Sequence, residues 1–194
     1  MRSDQSIAEF RVAPGRRLAG VLLLPVFCAF IALAQGCQYA SVRSSVTSKF
    51  SGNDTDAQLG FWHELAERQV TSNDDAFHGL LLYTDNHDNA KSYAERVAAL
   101  KSRGLVPESF SEPASAAVTR GTLAVAIVKL VGINGGWVMH VFGPTPRYAV
   151  KELAYDGIFP PSSPQQTFSG AEFVGIIGKI DDYQQPVAAD FAGQ

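Results

Sequence analysis

The feature that most constrains this chain is an internal repeat built around two glycines. Val97 and Leu100 lie seven and four residues before Gly104, and Leu105, Val106 and Pro107 follow it directly. Val150 and Leu153 stand at the same offsets before Gly157, with Ile158, Phe159 and Pro160 after it. A Gly just past the last apolar turn caps a helix, and a Pro three residues later bars its continuation. Beyond a loop that is shorter in the second copy, Val118-Thr119 aligns with Phe168-Ser169. Thr119 and Ser169 are N-cap residue types, and Ser169 with Glu172 has the spacing of a capping box. Leu123, Ile127, Lys129 and Leu130 then align with Phe173, Ile177, Lys179 and Ile180. A weaker third copy begins at Asn73, with Phe77 opposite Leu123 and Phe173. Repeats of this length are helix pairs that bury their apolar faces only against one another. The expected fold is mainly α, repeated helix-loop-helix units in a compact bundle over residues 56–183.

Outside the clear copies, Asp56 or Thr55 is placed to cap a helix carrying Leu59, Trp62 and Leu65 on one side. A second helix is expected from Asn73, with Asp74 and Asp75 in a first turn that favours anions. A third is expected from about Asn89 to Arg103, after the loop TDNHDN, in which Asp85 to Asp88 read as a solvated turn. Trp137 to Phe142 is apolar apart from His140 and bounded by Gly135-Gly136 and Gly143-Pro144. That punctuation predicts one short β element near 136–142. It is either a covering insertion or a recognition loop presenting Trp137 near Arg120, an aromatic beside a guanidinium.

The sequence of helix, Gly, two apolar residues, Pro, loop, then Val118-Thr119-Arg120-Gly121-Thr122 resembles the S-layer homology domain, a helix-loop-helix module of bacterial envelopes. The resemblance covers roughly Asn73 to Tyr183. It implies three bundled copies and a motif of Thr-Arg-Ala-Glu opening the second helix of each. Thr119 and Arg120 match its first two positions; Ser169 and Glu172 match its cap and its acid. In that family the Arg lines grooves that bind secondary cell-wall polysaccharide, a role that only Arg120 is positioned to inherit.

The N-terminus carries a second signal. Arg11, Arg16 and Arg17 precede the uncharged run Leu18 to Ala34, the order of a secretory signal. The run contains Pro25 and is shorter than the roughly 20 residues that a spanning helix uses. It ends in Leu-Ala-Gln-Gly-Cys, which resembles the lipobox of bacterial lipoproteins, off-pattern only at Gln35. The resemblance implies cleavage after Gly36 and acylation of Cys37; a plain cleaved signal or an uncleaved anchor is the alternative. Residues 1–36 are thus expected to be a signal peptide, 37–55 a lipidated polar tether and 184–194 a flexible tail. Cys28 and Cys37 are the only cysteines, so the processed domain would have no disulfide and no thiolate nucleophile.

The formal net charge is -3, and residues 1–36 contribute four basic and two acidic groups, so the remainder stands at -5. A mildly acidic domain without a basic block excludes nucleic acid as a partner. The four histidines, His63, His78, His87 and His140, show no metal spacing, and no nucleophile elbow, P-loop or dinucleotide fingerprint is present. No catalytic residue, metal or cofactor is assigned. The expected function is binding: a lipid-anchored protein of the bacterial cell envelope, on the periplasmic or outer face. Its helical repeats would engage a cell-wall polysaccharide, peptidoglycan or another envelope protein. The alternatives are an enzyme acting on envelope glycans through acids such as Glu152, Asp156 or Glu172, and a purely structural subunit. The candidate site residues are Cys37 for lipidation, and Arg120 and Trp137 for the ligand.

Overall fold

The structure, a computed structural model, describes residues 40–185; the signal sequence, Cys37 and the last nine residues of the tail lie outside the described residues. Seven helices form among them: α1 (Thr55–Ala66), α2 (Asn73–Asp85), α3 (Tyr93–Ser102), α4 (Arg120–Val131), α5 (Trp137–Phe142), α6 (Pro146–Tyr155) and α7 (Gly170–Gln184). Local side chains define their starts. Asp54, Ser72, Ser92, Thr119 and Ser169 each accept a hydrogen bond from the backbone N–H three residues on, and Ser169 with Glu172 completes the expected capping box. Gly104 and Gly157 follow α3 and α6 at φ +68° and +75°, left-handed positions where a side chain would be strained.

The helices close into a ring of three units. The well-capped helices α2, α4 and α7 each pack against the first helix of the next unit: α2 on α3, α4 on α6, and α7 back on α1. The unpaired N–H groups that open each capped helix are satisfied across the unit boundaries. Asn73 and Asp74 donate to the carbonyls of Ala116 and Ala114, Arg120 and Gly121 to those of Gln166 and Pro164, and Gly170 to that of Arg68. At the opposite end the repeat recurs as one contact made twice: Lys129 Nζ donates to the carbonyl of Gly104, and Lys179 Nζ to that of Gly157. α3 runs parallel to α2: Arg96 meets Asp74 near their starts, and Arg103 meets Asp85 near their ends. α1 runs the other way, antiparallel to α7: Trp62 stacks on Phe173 and Leu65 lies against Gly170.

The core runs through the ring. Phe61, Phe77, Leu80, Leu123, Ile127, Leu153, Phe168 and Phe173 are fully buried, each contributing about 1.5–3 kcal/mol of apolar burial. Every buried apolar side chain among the described residues lies between Val46 and Ile180, so this unit holds its own core.

Three expectations are corrected. Residues 136–142 do not form a β element. Trp137–Phe142 is a short helix, α5, with Met139 and His140 N–H both directed to the Gly136 carbonyl. A short apolar run has no period that separates strand from helix, and local bonding won because no neighbouring strand is available among the described residues. The segment 40–54 is not a free tether. Val46 is fully buried, Val42 N–H donates to Ser115, Ala117 N–H donates to Ala40, and Thr47 bonds Asp75. Its hydroxyls satisfy a buried carboxylate, so its polarity serves packing. Finally, α3 begins at Tyr93, after the Ser92 cap, because Asn89 and Ala90 belong to a turn closed by Asp88.

Candidate functional site

Two unit boundaries, α2 with α3 and α4 with α6, pair parallel helices and match; the third, α7 with α1, pairs antiparallel helices. At the boundary of α4 and α6, Gly121 faces Pro146 and Pro164; a Cβ on Gly121 would stand 2.8 Å from Pro146 Cβ. Ala149, fully buried, completes that seam. At the boundary of α7 and α1, a Cβ on Gly170 would overlap the Leu65 carbonyl. Both are closed by backbone-close packing. At the boundary of α2 and α3, aligning the caps Ser72 and Thr119 places Asp74 where the second unit has Gly121, one residue off the sequence register that sets Phe77 opposite Leu123. Aligning Gly104 with Gly157 places Tyr93 where that unit has Pro146 and Arg96 where it has Ala149. Here a cleft of about 310 Å³ opens. Thr47, Ser48, Ser51 and Ser92 line one part of it; Asp74, Tyr93 and Arg96 line the rest, with exposed Lys91 at the rim.

A buried polar network supports the cleft floor. Arg96, 4% exposed, donates through Nη1 to Asp74 at 2.8 Å and through Nε to Asp88. Asp88 also meets His78 Nδ1 at 2.6 Å, and its second oxygen accepts from Ala90 N–H. Burial opposes the charge on Asp88, but the hydrogen bonds from His78, Arg96 and Ala90 outweigh it and hold its carboxyl below the usual range. Asp75 is equally buried and accepts from Thr47 N–H and Oγ1 and from Ser45 and Ser72 Oγ. Ser45 also reaches Asp74, so the 40–54 segment is fastened to the start of α2. Burial, with the carboxylates of Asp74 and Glu112 nearby, pushes the Tyr93 phenol up, and its hydroxyl donates to the Glu112 carbonyl.

The residues singled out from sequence are dispersed. Arg120 is 6% exposed and points inward, 4.6 Å over the Phe168 ring, with Nη2 on Glu172 at 2.7 Å. It is a strut between the second and third units and does not line the α2–α3 cleft. Trp137 is 80% exposed on α5 and does not meet Arg120. Glu172 is held below the usual carboxylate range, first by the Ser169 backbone N–H and, against some burial, by Arg120. A capped, paired carboxylate of that kind makes a poor general acid. Glu152 and Asp156 lie on and just after α6, away from the α2–α3 cleft.

Sequence reading missed His78, Asp88, Arg96 and Asp74. The loop expected to be solvated keeps His87 exposed but buries Asp88. The one signal along the chain is Arg96, which falls where the second copy has Ala149; Asp74 matches Gly121 only once the structural caps Ser72 and Thr119 are aligned.

No group of residues able to hold a metal ion occurs among the described residues, and no described helix is long and apolar enough to cross a membrane. No family model, no curated protein and no solved structure matches the chain.

Proposed function

We propose that this is an exported envelope protein, held in a membrane by acyl chains on Cys37, whose ring of helical units binds a cell-wall polymer. The observation that carries this reading is the α2–α3 cleft: it is open and polar where the matching α4–α6 boundary is closed by Gly121 on Pro146 and Pro164. Ser48, Ser51, Ser92, the Asp74 carboxylate, the Tyr93 ring and the Lys91 rim ammonium offer donors and acceptors to a polyhydroxylated chain with anionic groups, over a floor of buried Arg96 and Thr47. The buried network fixes those groups in place, which lowers the ordering penalty on binding. The repeat's likeness to the S-layer homology domain and the ring of three units agree with such a module, with the ligand role moved from Arg120 to the first boundary.

The test is sedimentation of a form beginning at Gln38 with purified cell-wall material. Ser51→Trp, which fills the cleft, and Lys91→Glu, which reverses its rim charge, should each reduce retention at least about tenfold, or ~1.4 kcal/mol. Arg120→Ala should retain binding per folded molecule. Absence of retention on any wall fraction would sink the reading. Anchoring is tested separately: the mature protein should carry acyl mass on Cys37, and Cys37→Ser should remain unprocessed.

A further inference from the structure

The face made by α5 and α6 is unlike the rest of the surface. Trp137 is 80% exposed, Phe142 75% and Tyr155 88%, and Val141 and Tyr148 are exposed beside them. None of these side chains is needed by the core. Met139 fills that role from α5, and Ala149, Val150 and Leu153 fill it from α6. On α6 the outward positions Arg147, Lys151 and Tyr155 recur every four residues, so they share one side of the helix. The charge is equally lopsided. The chain carries a net formal -3, yet no Asp or Glu occurs from Pro113 to Lys151. The next acid, Glu152, is half-buried.

We propose that the α5–α6 face is a peripheral membrane-contact surface for an anionic bilayer. Trp137, Val141 and Phe142 enter the headgroup–acyl boundary, and Arg147 and Lys151 lie against the lipid phosphates. The order of chemistry fits that depth profile: the most apolar side chains project from a short helix between Gly135-Gly136 and Gly143, while the cations and tyrosines stand on the helix behind. Arg147 and Lys151 are exposed while the nearest acids, Glu152 and Asp156, are half-buried, and such a patch on an otherwise acidic protein turns that one face toward an anionic surface. This inference stands on exposure and charge at α5 and α6, and it is independent of the α2–α3 cleft and of acylation at Cys37.

The experiment uses the form from Gln38 to Gln194, whose core lies wholly within it, with vesicles of phosphatidylcholine alone and with about one-third phosphatidylglycerol. Cosedimentation is expected with the anionic vesicles only, and brominated lipids should quench Trp137 fluorescence in a Trp62→Phe background. Trp137→Ser with Phe142→Ser, and separately Arg147→Glu with Lys151→Glu, should each weaken partitioning roughly tenfold or more. All four positions are exposed, and unchanged thermal melts establish that the variants remain folded. Ser51→Trp should leave vesicle binding intact, which separates a failure here from a failure of the cleft reading. Lack of binding to either vesicle, or binding indifferent to these variants, overturns the proposal. So does a face whose substitutions abolish wall-polymer retention or self-association while vesicles are ignored.

Discussion

At the scale of single residues, Arg96 and Arg120 show how misleading a charged side chain on a helix can be. Arg120 reads as ligand-facing in sequence and Arg96 stands out in no motif, yet both are buried struts. Arg96 holds two carboxylates, Asp74 and Asp88, so Arg96→Ala should leave them uncompensated and destabilise the domain by about 3–5 kcal/mol in urea titration. Asp74→Gly combined with Arg96→Ala recreates the pair found at the next boundary and should recover part of that loss. Arg120→Ala removes a cation over Phe168 and one partner of a half-exposed Glu172, and should cost less, about 2–3 kcal/mol, because Glu172 keeps its cap bonds. The carboxyls of Asp88 and Glu172 also set an acid limit. Both titrate lower in the folded state than in the unfolded chain, where such groups take protons near about pH 4. Their contribution is therefore complete above that range and is lost as the pH falls through the folded values. Urea midpoints should drop on acidification from about pH 5 to 3, and Arg96→Ala should flatten that drop. None of these partners was legible along the chain, because the network joins Ser45, Asp74, His78, Asp88 and Arg96 from four separate segments.

At the scale of elements, the sequence was most readable where a side chain bonds its own backbone. Ser72, Thr119 and Ser169 cap the helices whose starts the residue pattern predicts, because a cap needs only neighbours three residues away. It was least readable where the partner is remote. Residues 40–54 look like linker because Asp75, the acceptor that orders Thr47, lies 28 residues on. The α5 run has no period at all. Glycines in α7 give a controlled test of how elements meet. Gly170 admits no Cβ against the Leu65 carbonyl, whereas Gly175, on the same helix, has open space around it. Gly170→Ala should separate α7 from α1 and destabilise by about 4 kcal/mol or more, a magnitude reserved for such clashes. Gly175→Ala should stabilise by about 0.5–1 kcal/mol through helix propensity. Thermal melts of the two variants side by side decide it: equal effects would mean that the seam is not packed as closely as the backbone indicates.

At the scale of the molecule, the repeat was visible in the sequence but its closure was not. Matching offsets around Gly104 and Gly157 reveal two copies. They cannot show that α7 returns to α1, nor that α1 runs antiparallel to it. The distinction matters, since an open array touches only sequential neighbours and frays from its ends. In the closed ring the last helix holds the first through Trp62 on Phe173 and through the Gly170 N–H to the Arg68 carbonyl. Loss of any unit then exposes two core faces at once, so unfolding should be all-or-none. Trp62 reports this seam directly. In a Trp137→Phe background, its fluorescence and the far-UV circular dichroism should follow one urea transition with the same midpoint and slope. A chain ending at Thr167 should show no cooperative melt, because α1 would lose the helix that covers it while α4 would lose Glu172, the partner of Arg120. Separate transitions for the two probes, or a stable truncated form, would mean that the units fold as a linear stack and that the α7–α1 contact is incidental.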